Sequence, residues 1–536
     1  MSDLNVYHTS PLPRAIFIIF VACSALVITT LNRELGSIDG DNAQYIFLAQ
    51  SIATDQSYRT INEPGAPPET YFPPLFPMML APIVNRWGLH TYFPIHLLVV
   101  AWAIACLGLW IIWARRQLTD EQLAWSLALF GTAPLWVVFA NRILTEIPFL
   151  GWSLGAIMLA ERYQQQSRAW TTTGVATALL LAAAYLTRTA GLALVAVVSS
   201  WLLLGAWRED RWRLAAGRAA TLLLITGGIV GAWHMRCHLA TLGAPESLDY
   251  WKLLWLRNPY QPELGLVDST AMVERLADNL RYYLKVAAET LVDPIRMVPT
   301  PWVYGVAMVP VGLTAYGFLR RLTTSRTVAE WYLIGYGLLL WYWPFQEPRF
   351  LVPILPWLCG YFVVGVDATV KRLAPPLLHH RLLGAIVALT LAVNLATIGR
   401  SFAANAAGHH YNLAVREWLD AHDWIAAHTP PEVVIMSRKP TVTALITDRR
   451  AVGYPLLPNP DDTIALIERY HVTHIIHETS DETARYLTPA ILQHRDRFEP
   501  DVQPFGRTIV ISVKPSIQPL HSTTRREPEP QAVNVK

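Results

Sequence analysis

Uncharged apolar runs of membrane-span length recur from one end of this sequence to the other. A helix crossing a bilayer needs about 20 consecutive apolar residues, and soluble domains do not repeat such runs. Candidates are Ala15–Leu31, Phe93–Trp113, Leu123–Ala140, Ile147–Ala160, Thr172–Leu186, Ala190–Trp207, Leu214–Trp233, Trp302–Leu319, Ala329–Trp343, Phe350–Val366 and Leu382–Ile398. Only 15% of the 536 residues are charged, against about 25% in ordinary soluble chains. A cytosolic enzyme is excluded. The net charge of +3 shows no concentrated basic face, so nucleic acid is not an expected partner. Twenty-one Trp and 21 Tyr suit a chain that meets many membrane–water interfaces. The fold class that follows is mainly α: a polytopic transmembrane helical bundle of about eleven spans.

The first run follows Arg14 but lacks a small-x-small cleavage site, and it reads as an uncleaved span. Cys23, Cys106, Cys237 and Cys359 form no CxxC pair, so neither a zinc knuckle nor a redox motif is expected. With the N-terminus placed in the cytoplasm, the inside segments hold fifteen Lys and Arg residues, among them Arg208, Arg211 and Arg326. The short outside connections hold only Arg142, Arg188 and Arg349. That is a positive-inside pattern. It places residues 32–92, 234–301 and everything after about 400 outside the cytoplasmic membrane.

The last part changes character. Helical stretches at Tyr411–His428, Asp461–Tyr470 and Glu482–His494 alternate with β-rich runs at Val433–Ser437, His474–His477 and Thr508–Val513. The expected organisation is a transmembrane core over 1–402, a small exterior α/β domain over 403–514 and a disordered tail over 515–536.

Several motifs fall on the outside ends of the spans. Asp41-Asn42-Ala43-Gln44-Tyr45 follows span one, with Tyr45, Leu48, Ala49 and Ile52 at helical spacing. This predicts a short amphipathic helix along the membrane surface, with Asp41 as its N-cap. Downstream stand Glu63 and Tyr71-Phe72-Pro73-Pro74-Leu75-Phe76-Pro77. Thr145-Glu146-Ile147-Pro148 opens the fourth span, and Glu146 stands four residues from Arg142, a potential structural partner. Leu186-Thr187-Arg188-Thr189-Ala190-Gly191 turns between spans five and six. Glu347-Pro348-Arg349-Phe350-Leu351-Val352-Pro353-Ile354-Leu355-Pro356 leads into the tenth.

In this order and on this topology, the motifs resemble those of GT-C fold membrane glycosyltransferases. The likeness is to the protein O-mannosyltransferase and lipid A aminoarabinose transferase superfamily, and it covers roughly residues 10–515. The resemblance implies transfer of a sugar from a polyprenyl-phosphate donor to a lipid, glycan or protein acceptor outside the membrane. It implies Asp41 as general base, with Asp39 and Glu146 as further catalytic acids. Arg349 and Arg188 would hold the donor phosphate, because guanidinium matches phosphate oxygens bidentately. Tyr45, Glu63, Tyr71 and Glu347 are the substrate-binding candidates. Asn42 departs from the pattern, since many relatives carry a second acid there, and Asp39 is the residue placed to compensate. The Trp-Trp-Asp signature of the oligosaccharyltransferase branch is absent.

No cofactor is expected. Asp39-x-Asp41 is a weak divalent-cation motif that would need Glu63 or Glu146 to join it, and no metal is expected to be essential. Two other classes compete: a transporter or flippase of lipid-linked glycans, and a catalytically inactive scaffold. Transporters place ionisable groups near the bilayer midplane, whereas these lie at span ends.

Overall fold

The computed structural model describes residues 13–36, 38–207, 212–242, 250–325, 327–406 and 411–514. The tail 515–536 and the basic residues Arg208, Arg211 and Arg326 lie outside the described residues. The helices of the first part are α1 (Arg14–Thr29), α2 (Asp41–Asp55), α3 (Leu75–Trp87), α4 (Tyr92–Ala114), α5 (Asp120–Thr132), α6 (Pro134–Phe139), α7 (Glu146–Gln164), α8 (Thr172–Thr187), α9 (Gly191–Trp207) and α10 (Trp212–Thr241). They continue with α11 (Tyr250–Trp255), α12 (Ser269–Leu291), α13 (Thr300–Thr324), α14 (Val328–Tyr342), α15 (Leu355–Leu373) and α16 (His379–Ala406).

Five helical segments are long and apolar enough to cross a membrane: Tyr92–Ala114, Trp212–Thr241, Trp302–Thr324, Pro348–Leu373 and Pro376–Ala404. Three shorter apolar helices, Arg14–Thr29, Thr172–Thr187 and Gly191–Gly205, add to them. The chain is a multi-pass membrane protein. The candidate Leu123–Ala140 is not one helix. Pro134 lacks an N–H and forces Ala133 into extended backbone (φ −60°, ψ 126°), which splits the run into α5 and α6. At the α13–α15 crossing, a Cβ on Gly317 would collide with the carbonyl of Tyr361, and one on Gly365 with that of Leu313. Bare glycine backbone lets these two helices touch.

Helix α2 corrects two expectations. It does not lie amphipathic on a surface: every residue from Asn42 to Ala49 is buried, under α3 on one side and the C-terminal part of the chain on the other. Helical spacing showed one apolar face, but the polar face is covered by protein rather than water. Gln44 donates to Glu69 (2.9 Å), and Thr441 donates to the Gln44 side-chain oxygen (3.3 Å). Nor is Asp41 the N-cap. Gly40 takes that place at φ +112°, a conformation open to glycine, and Asp41 becomes the first helical residue. Its carboxylate is thereby free to face elsewhere.

The C-terminal part is an α/β unit built on one five-stranded sheet. Strands β1 (Val434–Met436), β2 (Arg450–Val452), β3 (Val472–His477), β4 (Phe498–Phe505) and β5 (Thr508–Val513) are ordered β2-β1-β3-β5-β4. Pairings β1–β2 and β1–β3 are parallel, while β3–β5 and β4–β5 are antiparallel. Helices α17 (Leu413–His428) and α18 (Pro440–Thr447) cover one face. Helices α19 (Pro460–Tyr470) and α20 (Thr488–Gln493) pack against each other and α19 against β3. Successive strand residues point to opposite faces. Thus Ile435, Ile476 and Val510 join the apolar cluster continuous with the bundle, while Met436, Ile475 and Ile511 form a separate core. The unit is tied down by Lys439, which donates to the Ile38 carbonyl (2.9 Å), by Ala451 N–H to the Asn62 carbonyl (3.0 Å), and by His90 with Asp448 (2.9 Å).

Candidate active site

Two proline-rich or glycine-closed turns aim two arginines at one point beneath the α/β unit. Arg349 sits in a 3-10 turn, Pro348–Ile354, that leads into α15. Arg188 follows α8 in extended backbone (φ −154°, ψ 128°), and Gly191 closes the turn with an N–H bond to the Arg188 carbonyl (2.8 Å). A Cβ on Gly191 would approach the Tyr185 backbone nitrogen to 2.6 Å, so the turn is built for glycine. Both guanidinium groups lie over the Phe350 ring, at 5.0 Å for Arg188 and 5.5 Å for Arg349.

Their partners are the acids expected from the motifs. Arg349 Nη1 donates to Asp41 Oδ2 at 2.7 Å. Arg188 Nη1 donates to Glu146 Oε1 at 2.7 Å and to Thr145 Oγ1 at 3.1 Å. Arg349 Nε approaches the same Glu146 oxygen to 3.7 Å, so the four residues form one chain of alternating charge. Glu146 is fully buried, and its Oε2 has no hydrogen-bond partner among the described residues. An orphaned carboxylate oxygen at such a place is costly unless something else engages it. Glu146 does not pair with Arg142. Arg142 instead donates to Asp39 Oδ2 (2.9 Å), because residue 142 lies in the turn before α7 and helical spacing does not apply there.

These charges open onto a cavity of about 600 Å³, within the ordinary range for a small-molecule site. Asp41, Tyr45, Tyr71, Arg188, Glu347 and Arg349 all line it. Tyr45 is clamped edge-on between Phe72 (5.3 Å) and Phe76 (5.1 Å). Burial pushes the Glu347 carboxyl above its ordinary range, while the Arg349 charge pulls it back. Asp39, half exposed, does not line the cavity, and its Arg142 pair stands beside it. Glu63 does not line it either. Burial, with the nearby Glu69, pushes its carboxyl up to about 7. Asp39 and Asp41 each face a guanidinium, so they present no bare carboxylate pair to a cation. No group of three or more metal-ligating side chains occurs among the described residues.

Sequence reasoning missed the aromatic wall and one buried acid. Tyr185, Tyr260, Tyr336, Tyr342, Trp343 and Phe345 line the cavity from segments far apart in the chain. Glu69 accepts from the Tyr71 and Phe72 amides (2.6 and 3.1 Å) and from Gln44 (2.9 Å). It shapes the turn that presents Tyr71. Its place two residues before that motif was the available signal.

The bundle with the sheet unit above it has the GT-C fold, as comparison with solved structures shows. Among solved structures, the chain resembles ArnT, the aminoarabinose transferase, from Cupriavidus metallidurans bound to undecaprenyl phosphate. The TM-score is 0.57 at 15% identity, covering 92% of this chain and 97% of that one. The apo state of that protein gives 0.55 at 16% identity with the same coverage. The archaeal oligosaccharyltransferase AglB from Archaeoglobus fulgidus, in complex with an inhibitory peptide and a dolichol-phosphate, gives 0.55 at 12% identity, covering 94% of this chain and 75% of that one. At these identities the likeness establishes the GT-C fold. No protein-family model matches the chain, and no curated protein matches it in sequence.

Proposed function

We propose that this protein is a membrane glycosyltransferase that moves one sugar from a polyprenyl-phosphate donor to a hydroxyl acceptor at the membrane face beneath the α/β unit. The observation that carries the reading is the Asp41–Arg349–Glu146–Arg188 chain of charges opening onto one cavity in a GT-C fold. In the transfer, the acceptor oxygen bonds to the anomeric carbon as the bond from that carbon to the phosphate oxygen breaks. The acceptor proton passes to Asp41, and the polyprenyl phosphate leaves as a monoester. Arg349 contacts Asp41 through Nη1 and lines the same cavity, so one guanidinium can hold base and phosphate together. Arg188 supplies the second positive charge, which matters most as the leaving phosphate gains charge.

The wider arrangement belongs to the same proposal. The chain crosses the cytoplasmic membrane about eleven times, with the N-terminus cytoplasmic and the α/β unit outside. Residues 1–402 form the transferase core and 403–514 the exterior domain. Charges at the cavity mouth rather than at mid-bilayer favour a transferase over a flippase. The test is to incubate purified protein with undecaprenyl-phosphate-linked sugars and assay for undecaprenyl phosphate. Donor consumption with release of that product supports transfer. Movement of intact donor across vesicles without its consumption overturns it.

A further inference from the structure

Outside the charged chain, the α/β unit also contacts a segment of the cavity wall. Residues 254–268 form a short hairpin over the mouth, pinned at its base by the Leu256–Leu266 bridge and by Arg275. Arg275 donates to the carbonyls of Leu254 (2.9 Å), Arg257 (3.3 Å) and Leu256. The tip carries Tyr260, a cavity-lining residue set edge-on to Phe345 at 5.5 Å and 84°. Asp41, Glu347 and Arg349 all act on Tyr260 electrostatically, as does Glu482 of the α/β unit.

The tip is held from above by two neighbouring side chains, Tyr486 and Arg485. Tyr486 belongs to the apolar core of the far sheet face and is 1% exposed. Its hydroxyl stands 2.9 and 2.8 Å from the two Glu263 carboxylate oxygens and 3.1 Å from the Tyr260 carbonyl. One hydroxyl proton is shared among these acceptors, with the charged carboxylate the stronger. Arg485 adds an ion pair to Glu263 at 3.5 Å. Tyr486 sits in the π-helical turn Thr483–Leu487, and such turns are rare and cluster at functional sites.

We infer that Tyr486 is a positioning residue: through Glu263 it locks the hairpin so that Tyr260 walls the cavity mouth beside Arg349, making the α/β unit part of the substrate site. The inference rests on the transferase reading for what enters the cavity, but the clamp itself does not. The deletion of one hydroxyl, Tyr486→Phe, keeps the apolar core and loosens the tip, leaving only the Arg485 ion pair to Glu263 from above.

The test places 3-fluorotyrosine at position 260 of the full-length protein in lipid nanodiscs and follows its ¹⁹F resonance. Tyr486→Phe moves or broadens the line by more than its width while the thermal midpoint stays near that of the parent. Glu263→Gln, which keeps an acceptor oxygen, leaves the line close to its original position. A Tyr486→Phe line identical to the parent's overturns the clamp, because a merely stabilising tyrosine would move only the melting temperature. Undecaprenyl phosphate added to the labelled parent is expected to shift the same line. No shift at saturation overturns the placement of Tyr260 at the substrate mouth, and the mutant comparison decides the clamp separately.

Discussion

The bundle buries two clusters of carboxylate and guanidinium, one beneath the α/β unit and one at the far end of α4, a helix of 23 residues and so roughly 35 Å long. At the far end Glu330 is fully buried, and both its oxygens are satisfied: Tyr361 donates at 2.9 Å and Thr327 at 2.5 Å. Arg321 lies 3.8 Å away and donates to Gln117. No cavity-lining residue belongs to this group. Beneath the α/β unit the ingredients are similar, and each cluster holds a buried atom without a hydrogen-bond partner among the described residues (Arg321 Nε, Glu146 Oε2), but here Asp41, Arg188 and Arg349 line a cavity. A buried ion pair is by itself weak evidence of stability or of function. What separates a site from a strut here is that its charged groups line open space.

That contrast predicts opposite failures. Arg349→Ala removes the residue that joins base and phosphate, and turnover should fall by about 10²–10³, with weaker binding of undecaprenyl phosphate and a near-parental melting curve. Glu330→Ala should do the reverse. Stranding the far cluster's partners costs about 3–5 kcal/mol of stability, seen as a lowered thermal midpoint, while turnover per folded molecule is kept. Arg349→Lys restores charge without the planar fork, so activity should recover to a level between alanine and parent. If lysine works as well as arginine, the bidentate phosphate contact is wrong.

The smallest effect concerns Glu63, outside both clusters. Its folded carboxyl titrates near 7 against an ordinary 4.5, so the folded state holds more protons than the unfolded between those values. Stability should therefore be greatest at or below pH 4.5 as far as this group is concerned, and decline as pH rises toward 7. Glu63→Gln should flatten that slope in pH-dependent melting curves, leaving turnover at fixed pH unchanged.

Much of this was legible in the residues. Hydropathy located the long helices because lipid demands continuous apolar length, and it misread Leu123–Ala140 because it does not weigh one proline. Three of the five strands showed as β-rich runs. β2 is only three residues long, and β4 carries Pro500 and Pro504, which an edge strand tolerates and a pattern search rejects. Asp41, Glu146, Arg188 and Arg349 were found because motifs keep them near span ends. Tyr260 and Tyr336 were not, since a cavity wall assembled from distant segments leaves no local pattern. The pairing of Arg142 failed for a related reason: closeness in sequence stood in for a helix that begins only at Glu146.

The most direct test of the central claim is the turnover of Asp41→Asn with undecaprenyl-phosphate-linked sugar as donor, read as release of undecaprenyl phosphate. Asparagine keeps the size of the side chain and a carbonyl oxygen for Arg349, but it cannot take a proton. If Asp41 is the base, turnover falls by about 10²–10⁴ while binding of undecaprenyl phosphate persists. Near-parental turnover in a well-folded Asp41→Asn protein would contradict the account, leaving Asp41 as an ion-pair partner of Arg349 and nothing more.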